Sequence, residues 1–230
     1  MLQELRKPLR IILSLALVLF IYLWANPAKD LAFSGLFFEN GEFIGSHWRI
    51  ARISDYSVYF FSTLFVILFL GRAARIWFRK KELCNKGQRL LFFVLIMLIG
   101  AVGVVQNLKF TSERPRPYSL IEFGGTRSFA PVLEFKDTNL AFVPNEERSF
   151  PSGHTAGSFS LIALAVTTEK KRKRDFIFLA GFVYSLFAGF MRIVEGNHFL
   201  SDVIGAMVIV AFCMLVLDWI WPWPVEKSTI

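Results

Sequence analysis

Six stretches of mostly apolar residues divide the chain, and no other feature restricts its fold as strongly. They are Ile11–Ala25, Tyr56–Phe78, Leu90–Asn107, Gly157–Thr167 with a lead-in from Pro151, Phe176–Met191 and Phe199–Trp221. A helix of about 20 apolar residues crosses the hydrocarbon core of a bilayer, and helices satisfy their own backbone hydrogen bonds there. The sequence therefore predicts an all-α, polytopic membrane protein with six transmembrane helices in a single domain over residues 1–230.

The first stretch has a second interpretation, because a basic segment precedes it as in a secretory signal peptide. Cleavage after Ala25 would place Leu23 where a small side chain is expected, and Pro27 lies close to any nearby cut. We therefore interpret Ile11–Ala25 as the first span.

The distribution of charge predicts the orientation of the chain in the membrane. One side holds both termini, the second-to-third loop and the fourth-to-fifth loop, with a net charge of +10, whereas the other side has −2. Because cytoplasmic loops are rich in Lys and Arg, both termini are predicted to be cytoplasmic. The basic run Lys170–Arg174 resembles a nucleic-acid patch in isolation. Between two apolar stretches it instead favours a cytoplasmic loop near anionic lipid, so we predict no nucleic-acid partner.

The two cysteines are predicted to remain unpaired. Cys84 falls in a predicted cytoplasmic loop, whereas Cys213 lies within the last span. These positions cannot meet, and neither faces an oxidising compartment, so no disulfide is expected.

Three polar segments fall on the predicted noncytoplasmic face. The first runs from Lys109 to Pro117 and places Lys109, Arg114 and Arg116 among two prolines. Prolines stiffen the chain and prevent a helix from continuing. Arginines held in a rigid turn are suited to phosphate oxygens, with lysine as a point charge beside them. A basic stop at the membrane boundary is the alternative, although this side should be poor in basic residues.

The second segment, Phe150–Gly157, opens the fourth stretch. Pro151, Ser152 and Gly153 are typical of a helix start, where free N–H groups and the positive end of the dipole bind anions. His154 follows them and exchanges a proton near neutral pH. A simple helix cap with an incidental histidine remains an equal alternative for this segment alone.

The third segment contains Arg192, His198 and Asp202. Residues four apart share one face of a helix, so the carboxylate of Asp202 can hold one ring nitrogen of His198 and leave the other as a nucleophile. An acidic residue within an apolar span also indicates function. A capping pair or a metal pair at the interface remains the alternative.

Together the segments place a proton donor, an oriented histidine and several cations on one face of the membrane. That combination is typical of phosphoryl transfer through a phosphohistidine. Two other interpretations stay open: a binding vestibule of an anion transporter, and a metal site built from His47, His154 and His198. His47 belongs to none of the three segments and is expected at the surface.

The pattern Lys109-x6-Arg116-Pro117, Pro151-Ser152-Gly153-His154 and Arg192-x5-His198-x3-Asp202 resembles the type 2 phosphatidic acid phosphatase (PAP2) superfamily. The resemblance implies an integral membrane lipid phosphatase with an α-helical core, which needs no metal and no cofactor. Its substrate would be a lipid phosphate held in the bilayer, and no obligate protein partner is expected.

The resemblance also assigns roles to the motif residues. His198 would attack phosphorus, Asp202 would be its partner carboxylate, and His154 would protonate the leaving lipid oxygen. The phosphoryl oxygens would be held by Lys109, Arg116, Ser152, Gly153 and Arg192. Arg114-Pro115 duplicates part of the first motif at shorter spacing, so Arg114 is an additional candidate, although the spacing favours Arg116. Met191 stands where the family usually has Ser.

A narrower similarity is to bacterial lipid A phosphatases. It rests on Arg114-Pro-Arg-Pro, Phe123-Gly-Gly, Phe129-Ala-Pro, Arg148-Ser-Phe and Met191-Arg192. Those enzymes often carry a cysteine pair that is absent here, and often lack the intact Pro-Ser-Gly-His that is present here. We expect the loop Tyr118–Phe150 to recognise the headgroup.

The first expectation for function is a lipid A phosphatase of the bacterial inner membrane, with its site on the periplasmic face. The alternatives are an undecaprenyl pyrophosphate or phosphatidylglycerophosphate phosphatase, and a lipid phosphotransferase.

Overall fold

The computed structural model describes residues 2–78, 96, 103–134, 148–168 and 170–220, and these residues are mainly helical. The α-helices are α1 (Leu2–Ala25), α2 (Pro27–Gly35), α3 (Arg49–Phe78), α4 (Val105–Ser112), α5 (Gly153–Ser160), α6 (Lys171–Val194) and α7 (Leu200–Ile220). Strands β1 (Phe38–Glu39) and β2 (Glu42–Phe43) form an antiparallel hairpin between α2 and α3. The all-α expectation therefore holds for the described residues except at this hairpin.

Three of the described helical segments are long and apolar enough to cross a membrane: Glu4–Ala25, Lys171–Val194 and Leu200–Ile220. They contain the first, fifth and most of the sixth predicted spans. The second predicted span lies within α3, and the fourth is the short α5 continued by the 3-10 helix Leu161–Thr167. The third, Leu90–Asn107, lies mostly outside the described residues. The number of six spans thus remains a prediction.

The helices pack around a core that α5 and α7 share. Helix α1 lies along α7, and α5 lies against both α6 and α7. Small side chains permit this close approach, which is common between membrane helices. A Cβ atom on Gly189 of α6 would lie 2.6 Å from Val203 Cγ1 and 3.2 Å from Thr155 Oγ1. Glycine at this position is therefore needed where the three helices meet.

The hairpin covers the connection between α6 and α7. Its turn residues Asn40 and Gly41 both have positive φ angles, of 53° and 85°, as a type I′ turn requires. Phe43 then packs with Leu120, Phe123 and Phe199 in a buried apolar cluster. This cluster holds the hairpin, the segment after α4 and the start of α7 together at one end of the bundle.

Candidate active site

Hydrogen bonds join the three motif segments at that end of the bundle. The amide of Ser152 donates to the carbonyl oxygen of Asp202 at 3.1 Å, which links the start of α5 to α7. The amide of Tyr118 donates to the carbonyl oxygen of Gly196 at 3.0 Å, which links the segment after α4 to the α6–α7 connection. Residues that lie far apart in sequence therefore form one site.

His198 lies two residues before the start of α7, and only 1% of its surface is exposed. Its Nδ1 atom lies 3.6 Å from Oδ2 of Asp202. This separation permits a charge interaction but is longer than a hydrogen bond. The Asp202 carboxylate faces Nδ1, so the arrangement leaves Nε2 as the nitrogen for attack on phosphorus.

Basic side chains from four different segments act on the imidazole of His198. They are Lys109 of α4, Arg116 after α4, His154 of α5 and Arg192 of α6. Burial, followed by these positive charges, lowers the pKa of His198 well below its usual value. The ring is therefore neutral at physiological pH, and a neutral imidazole is the nucleophilic form.

Arg116 is held on one side of its guanidinium only. Its Nη1 donates to Oδ1 of Asn197 at 2.8 Å. Its Nε is buried and has no hydrogen-bond partner in the described part of the chain. A buried donor that no protein group accepts is open to an added acceptor. Arg116 therefore has donor capacity for a phosphoryl oxygen.

Lys109 lies in the last turn of α4 and is half-buried. Burial, followed by the positive charge of Arg116, lowers the pKa of Lys109 to about 8. The ammonium group is thus charged at neutral pH but loses its proton more readily than an exposed lysine. The site is therefore expected to lose the positive charge of Lys109 as the pH rises above about 8.

His154 and Arg192 share a carboxylate that the sequence motifs do not contain. Nε2 of His154 lies 2.9 Å from Oδ1 of Asp55, and Arg192 Nη1 donates to the same oxygen. Arg192 Nη1 also lies 2.8 Å from Oε2 of Glu195. Asp55 on α3 precedes the second predicted span by one residue. An acidic side chain beside an apolar stretch is the sequence signal that could have identified it.

Ser152 and Gly153 form the start of α5, as the sequence predicts. Ser152 is the N-cap, and its Oγ accepts bonds from Thr155 N at 3.3 Å and from Thr155 Oγ1 at 2.9 Å. A Cβ atom on Gly153 would meet no heavy atom within 4 Å. Open space therefore lies beside the first turn, where an anion has access to the N–H groups of the helix N-terminus.

Arg114 is placed differently from Arg116. Only 1% of its surface is exposed. Its Nε donates to Ala130 O at 2.9 Å, and Nη2 donates to Asp30 Oδ2 at 2.8 Å. Its Nη1 donates to Ser201 Oγ at 2.7 Å and to Asp202 Oδ1 at 2.6 Å. These protein groups occupy the guanidinium, so the structure does not offer Arg114 as an additional phosphate ligand.

The structure does not bring the three histidines together. His47 is exposed in a 3-10 helix after the hairpin and pairs with Glu42. Within the described ranges, no group of three His, Cys, Asp or Glu side chains is arranged to hold a metal ion. Cys213 is a free cysteine, whereas Cys84 lies outside the described residues.

Comparisons with known proteins identify the family of the chain. The chain matches the PAP2 superfamily over residues 89–227. Over 204 residues it is 28% identical to Lipid A 4'-phosphatase from Francisella tularensis subsp. novicida (strain U112), covering 84% of this chain and 87% of that protein.

Two crystal structures are also similar to this chain. One is the first transmembrane PAP2 type phosphatidylglycerolphosphate phosphatase from Bacillus subtilis, with a TM-score of 0.51, 20% identity and coverage of 94% of this chain and 98% of that chain. The other is Aquifex aeolicus LpxE, with a TM-score of 0.41, 25% identity and coverage of 87% and 93%. Since the family match spans more than half of the sequence and includes all three motifs, the chain belongs to the PAP2 superfamily.

Proposed function

We propose that this PAP2 superfamily phosphatase removes a phosphate monoester from lipid A through a phosphohistidine intermediate on His198. The observation that carries the proposal is a buried imidazole with a lowered pKa, on which four basic side chains act. The neutral ring supplies a nucleophile, and the basic groups stabilise the charge on the phosphoryl oxygens as the reaction proceeds.

In the first step, Nε2 of His198 forms a bond to phosphorus while the bond from phosphorus to the lipid oxygen breaks. The carboxylate near Nδ1, from Asp202, stabilises the positive charge that develops on the ring. His154 transfers its proton to the departing lipid oxygen. Asp55 Oδ1 lies 2.9 Å from Nε2 of His154 and holds the imidazole in place beside the reacting phosphate.

Phosphate binding is assigned to groups from several segments. Lys109 and Arg192 supply positive charge, and Arg116 offers its Nε, which has no partner in the part of the chain that the structure describes. The start of α5 at Ser152 and Gly153 adds backbone N–H groups beside open space. Ser152 contributes mainly as the N-cap of this helix, because Thr155 donates both its amide and its hydroxyl to Ser152 Oγ.

In the second step, water attacks phosphorus and the bond from phosphorus to His198 breaks. The neutral His154 left by the first step accepts the proton of the attacking water. Inorganic phosphate leaves, and both histidines return to their starting protonation states. Atoms and charges therefore balance over the two steps without another reactant.

Lipid A is favoured as the substrate by the relative from Francisella, whose similarity covers 84% of this chain. The location that we propose is the bacterial inner membrane, with both termini cytoplasmic and the site at the periplasmic face. The charge distribution in the sequence supports this orientation, since the side that holds both termini has a net charge of +10.

Phosphate release from a panel of lipids tests the proposal. Purified protein in detergent is incubated with lipid A, undecaprenyl pyrophosphate or phosphatidylglycerophosphate, and the lipid products are identified by mass spectrometry. We expect the highest kcat/KM for lipid A and no phosphorylated acceptor lipid. A higher value for another lipid would overturn the substrate assignment, and a phosphorylated acceptor would indicate transfer.

The nucleophile is tested separately with His198→Ala. We expect the variant to lose phosphate release. When the wild type reacts with labelled substrate and is quenched rapidly without acid, we expect a labelled phosphoprotein that acid hydrolyses, as is typical of phosphohistidine. Phosphate release by the variant at the wild-type rate would exclude this mechanism, whatever lipid is preferred.

The orientation is tested with Glu42→Cys in a protein that also carries Cys84→Ser and Cys213→Ser. Glu42 is exposed on the hairpin at the site end of the bundle. A membrane-impermeant maleimide added to spheroplasts should label this cysteine. Labelling only after the membrane is permeabilised would contradict the periplasmic assignment.

A further inference from the structure

We propose that Asp30 and Arg114 act as positioning residues for the nucleophile, through a buried brace formed by Asp30, Arg114, Ser201 and Asp202. The inference rests on the proposed function, because it concerns the orientation of His198. Neither Asp30 nor Arg114 is a required member of the three motifs, and Asp30 precedes the residues that match the PAP2 superfamily.

The centre of the brace is an arginine between two carboxylates. Nη1 of Arg114 lies 2.6 Å from Oδ1 of Asp202, and Nη2 lies 2.8 Å from Oδ2 of Asp30. None of the three side chains is more than 2% exposed. Desolvation of buried charges is costly, and the loss of one partner leaves the others uncompensated. Geometry this closely paired therefore holds each carboxylate in one orientation.

The brace also fixes the backbone of the first turn of α7. Asp30 Oδ1 accepts a bond from Ser201 N at 3.0 Å, and Asp30 Oδ2 accepts one from the Ser201 hydroxyl. The guanidinium of Arg114 lies 4.0 Å from the ring centroid of Phe199. Asp30 of α2 is thereby joined to Ser201, and Arg114 to Phe199, the residue that directly follows His198.

The orientation of Asp202 explains why the nucleophile depends on this brace. Its Oδ1 is engaged by Arg114, whereas its Oδ2 accepts the amide of Phe199 at 2.7 Å and lies 3.6 Å from Nδ1 of His198. With Oδ1 held, Oδ2 stays on the side of the imidazole. Without that contact the carboxylate keeps only the bond from the Phe199 amide, so its position relative to Nδ1 of His198 is less firmly fixed. Misplacement of a reacting group by about 1 Å costs on the order of 100-fold in rate.

The brace contributes charge as well as geometry. The groups that face His198 are the carboxylate of Asp202 and four basic side chains, which are Lys109, Arg116, His154 and Arg192. Arg114 adds a cation behind Asp202, and Asp30 offsets that cation. Removal of the charge of Asp30 should lower the pKa of His198, whereas removal of the charge of Arg114 should raise it.

These opposite signs define the experiment. Asp30→Asn, Arg114→Gln and the double variant are assayed as full-length protein in detergent with p-nitrophenyl phosphate. We expect kcat to fall about 10- to 100-fold in each single variant, with KM changed less than about threefold. The acidic limb of the pH profile of kcat/KM should move to lower pH in Asp30→Asn and to higher pH in Arg114→Gln. In the double variant it should return towards the wild-type position.

Two further variants separate positioning from stability. Asp218→Asn removes a carboxylate from a partly exposed pair elsewhere, in which Arg6 Nε lies 2.5 Å from Asp218 Oδ2 near the far end of α7. It should lower Tm and leave the pH profile unchanged. Arg114→Lys keeps the charge but lacks the planar fork that spans two carboxylates, so it should lower kcat and leave the acidic limb in place. It also replaces Arg114→Gln if that variant does not fold.

A lowered Tm with unchanged kcat and an unchanged pH profile in the Asp30 and Arg114 variants would reduce the brace to a structural ion pair and overturn the inference. Shifts of the acidic limb in the same direction for both single variants would also overturn it. Full activity of His198→Ala would instead contradict the proposed function. The substrate titrates identically in every reaction, so it does not contribute to the differences between variants.

Discussion

Arg114 and Arg116 lie two residues apart in one Arg-Pro-Arg-Pro segment, and the structure gives them opposite surroundings. Arg114 lies between two buried carboxylates, and all three of its guanidinium nitrogens donate to protein groups. Arg116 donates to the neutral side chain of Asn197, and its Nε is buried without a partner in the described residues. A guanidinium whose three nitrogens all donate to protein groups supports the fold, whereas one that keeps a buried nitrogen without a partner among the described residues retains a donor for an anion.

The largest effect on stability should follow Arg114→Ala. The substitution leaves Asp30 and Asp202 buried without their cation, which typically costs about 3–5 kcal/mol in the free energy of unfolding. We expect a lower yield of folded protein and a marked fall in Tm, measured by thermal unfolding in detergent. A Tm equal to that of the wild type would contradict the structural role of Arg114, since Arg114 would then be as dispensable for stability as Arg116.

Of the changes to these two arginines, Arg116→Ala should have the largest effect on catalysis without loss of stability. Removal of one preorganised donor to a developing charge commonly costs about 10²–10³ in rate. Among the described residues, Arg116 has no carboxylate partner that its removal would leave unpaired. We expect this loss in kcat/KM with Tm close to that of the wild type. Arg116→Lys retains a point charge but not the fork and should recover part of the activity. An unfolded Arg116→Ala protein would contradict the division of roles.

The two arginines show which features of the site could be predicted from the sequence and which could not. Motif spacing predicted His154, His198 and Asp202 as site residues and favoured Arg116, and the structure brings these four residues to one end of the bundle. It also predicted α5 to start near Gly153, where the structure begins the helix. The candidate role of Arg114 could not be decided, since it depends on which carboxylates approach the arginine in three dimensions.

The carboxylates missed by sequence reasoning share one property, which is their distance along the chain from the motifs. Asp30 contacts Arg114, 84 positions later, and Asp55 contacts Arg192, 137 positions later. Such contacts depend on helix packing and have no local pattern. The hairpin is a different case, since Asn40-Gly41 between Phe38 and Phe43 is a strong local signal for a type I′ turn. The hairpin is short and lies between two long apolar stretches, whose pattern predicts only helices.

A smaller effect should follow a change in the partner of Arg116. Asn197→Asp places a carboxylate where Nη1 now lies 2.8 Å from Oδ1, so it gives Arg116 the kind of partner that Arg114 already has. We expect phosphate to compete with this carboxylate and KM to rise about tenfold, equivalent to about 1.4 kcal/mol. Asn197→Ala is the matched control, because it loses the bond without adding charge. Equal KM values in both variants would mean that orientation, rather than free charge, distinguishes Arg116.

The smallest effect should be a shift in pH dependence caused by Lys109→Arg. Burial and the nearby charge of Arg116 lower the pKa of Lys109 to about 8, so the ammonium loses its proton as the pH rises through that value. Substrate binding should weaken there, and wild-type kcat/KM should fall above pH 8, since this parameter reports groups of the free enzyme. Arginine remains protonated at this pH, so Lys109→Arg should keep its kcat/KM further into the alkaline range. Lys109→Met lacks the positive charge, so its kcat/KM should be low at every pH. An unchanged basic limb of kcat/KM in Lys109→Arg would mean that a group other than Lys109 sets this limb. The charge that Arg116 presents to the phosphate would then not depend on the titration of Lys109.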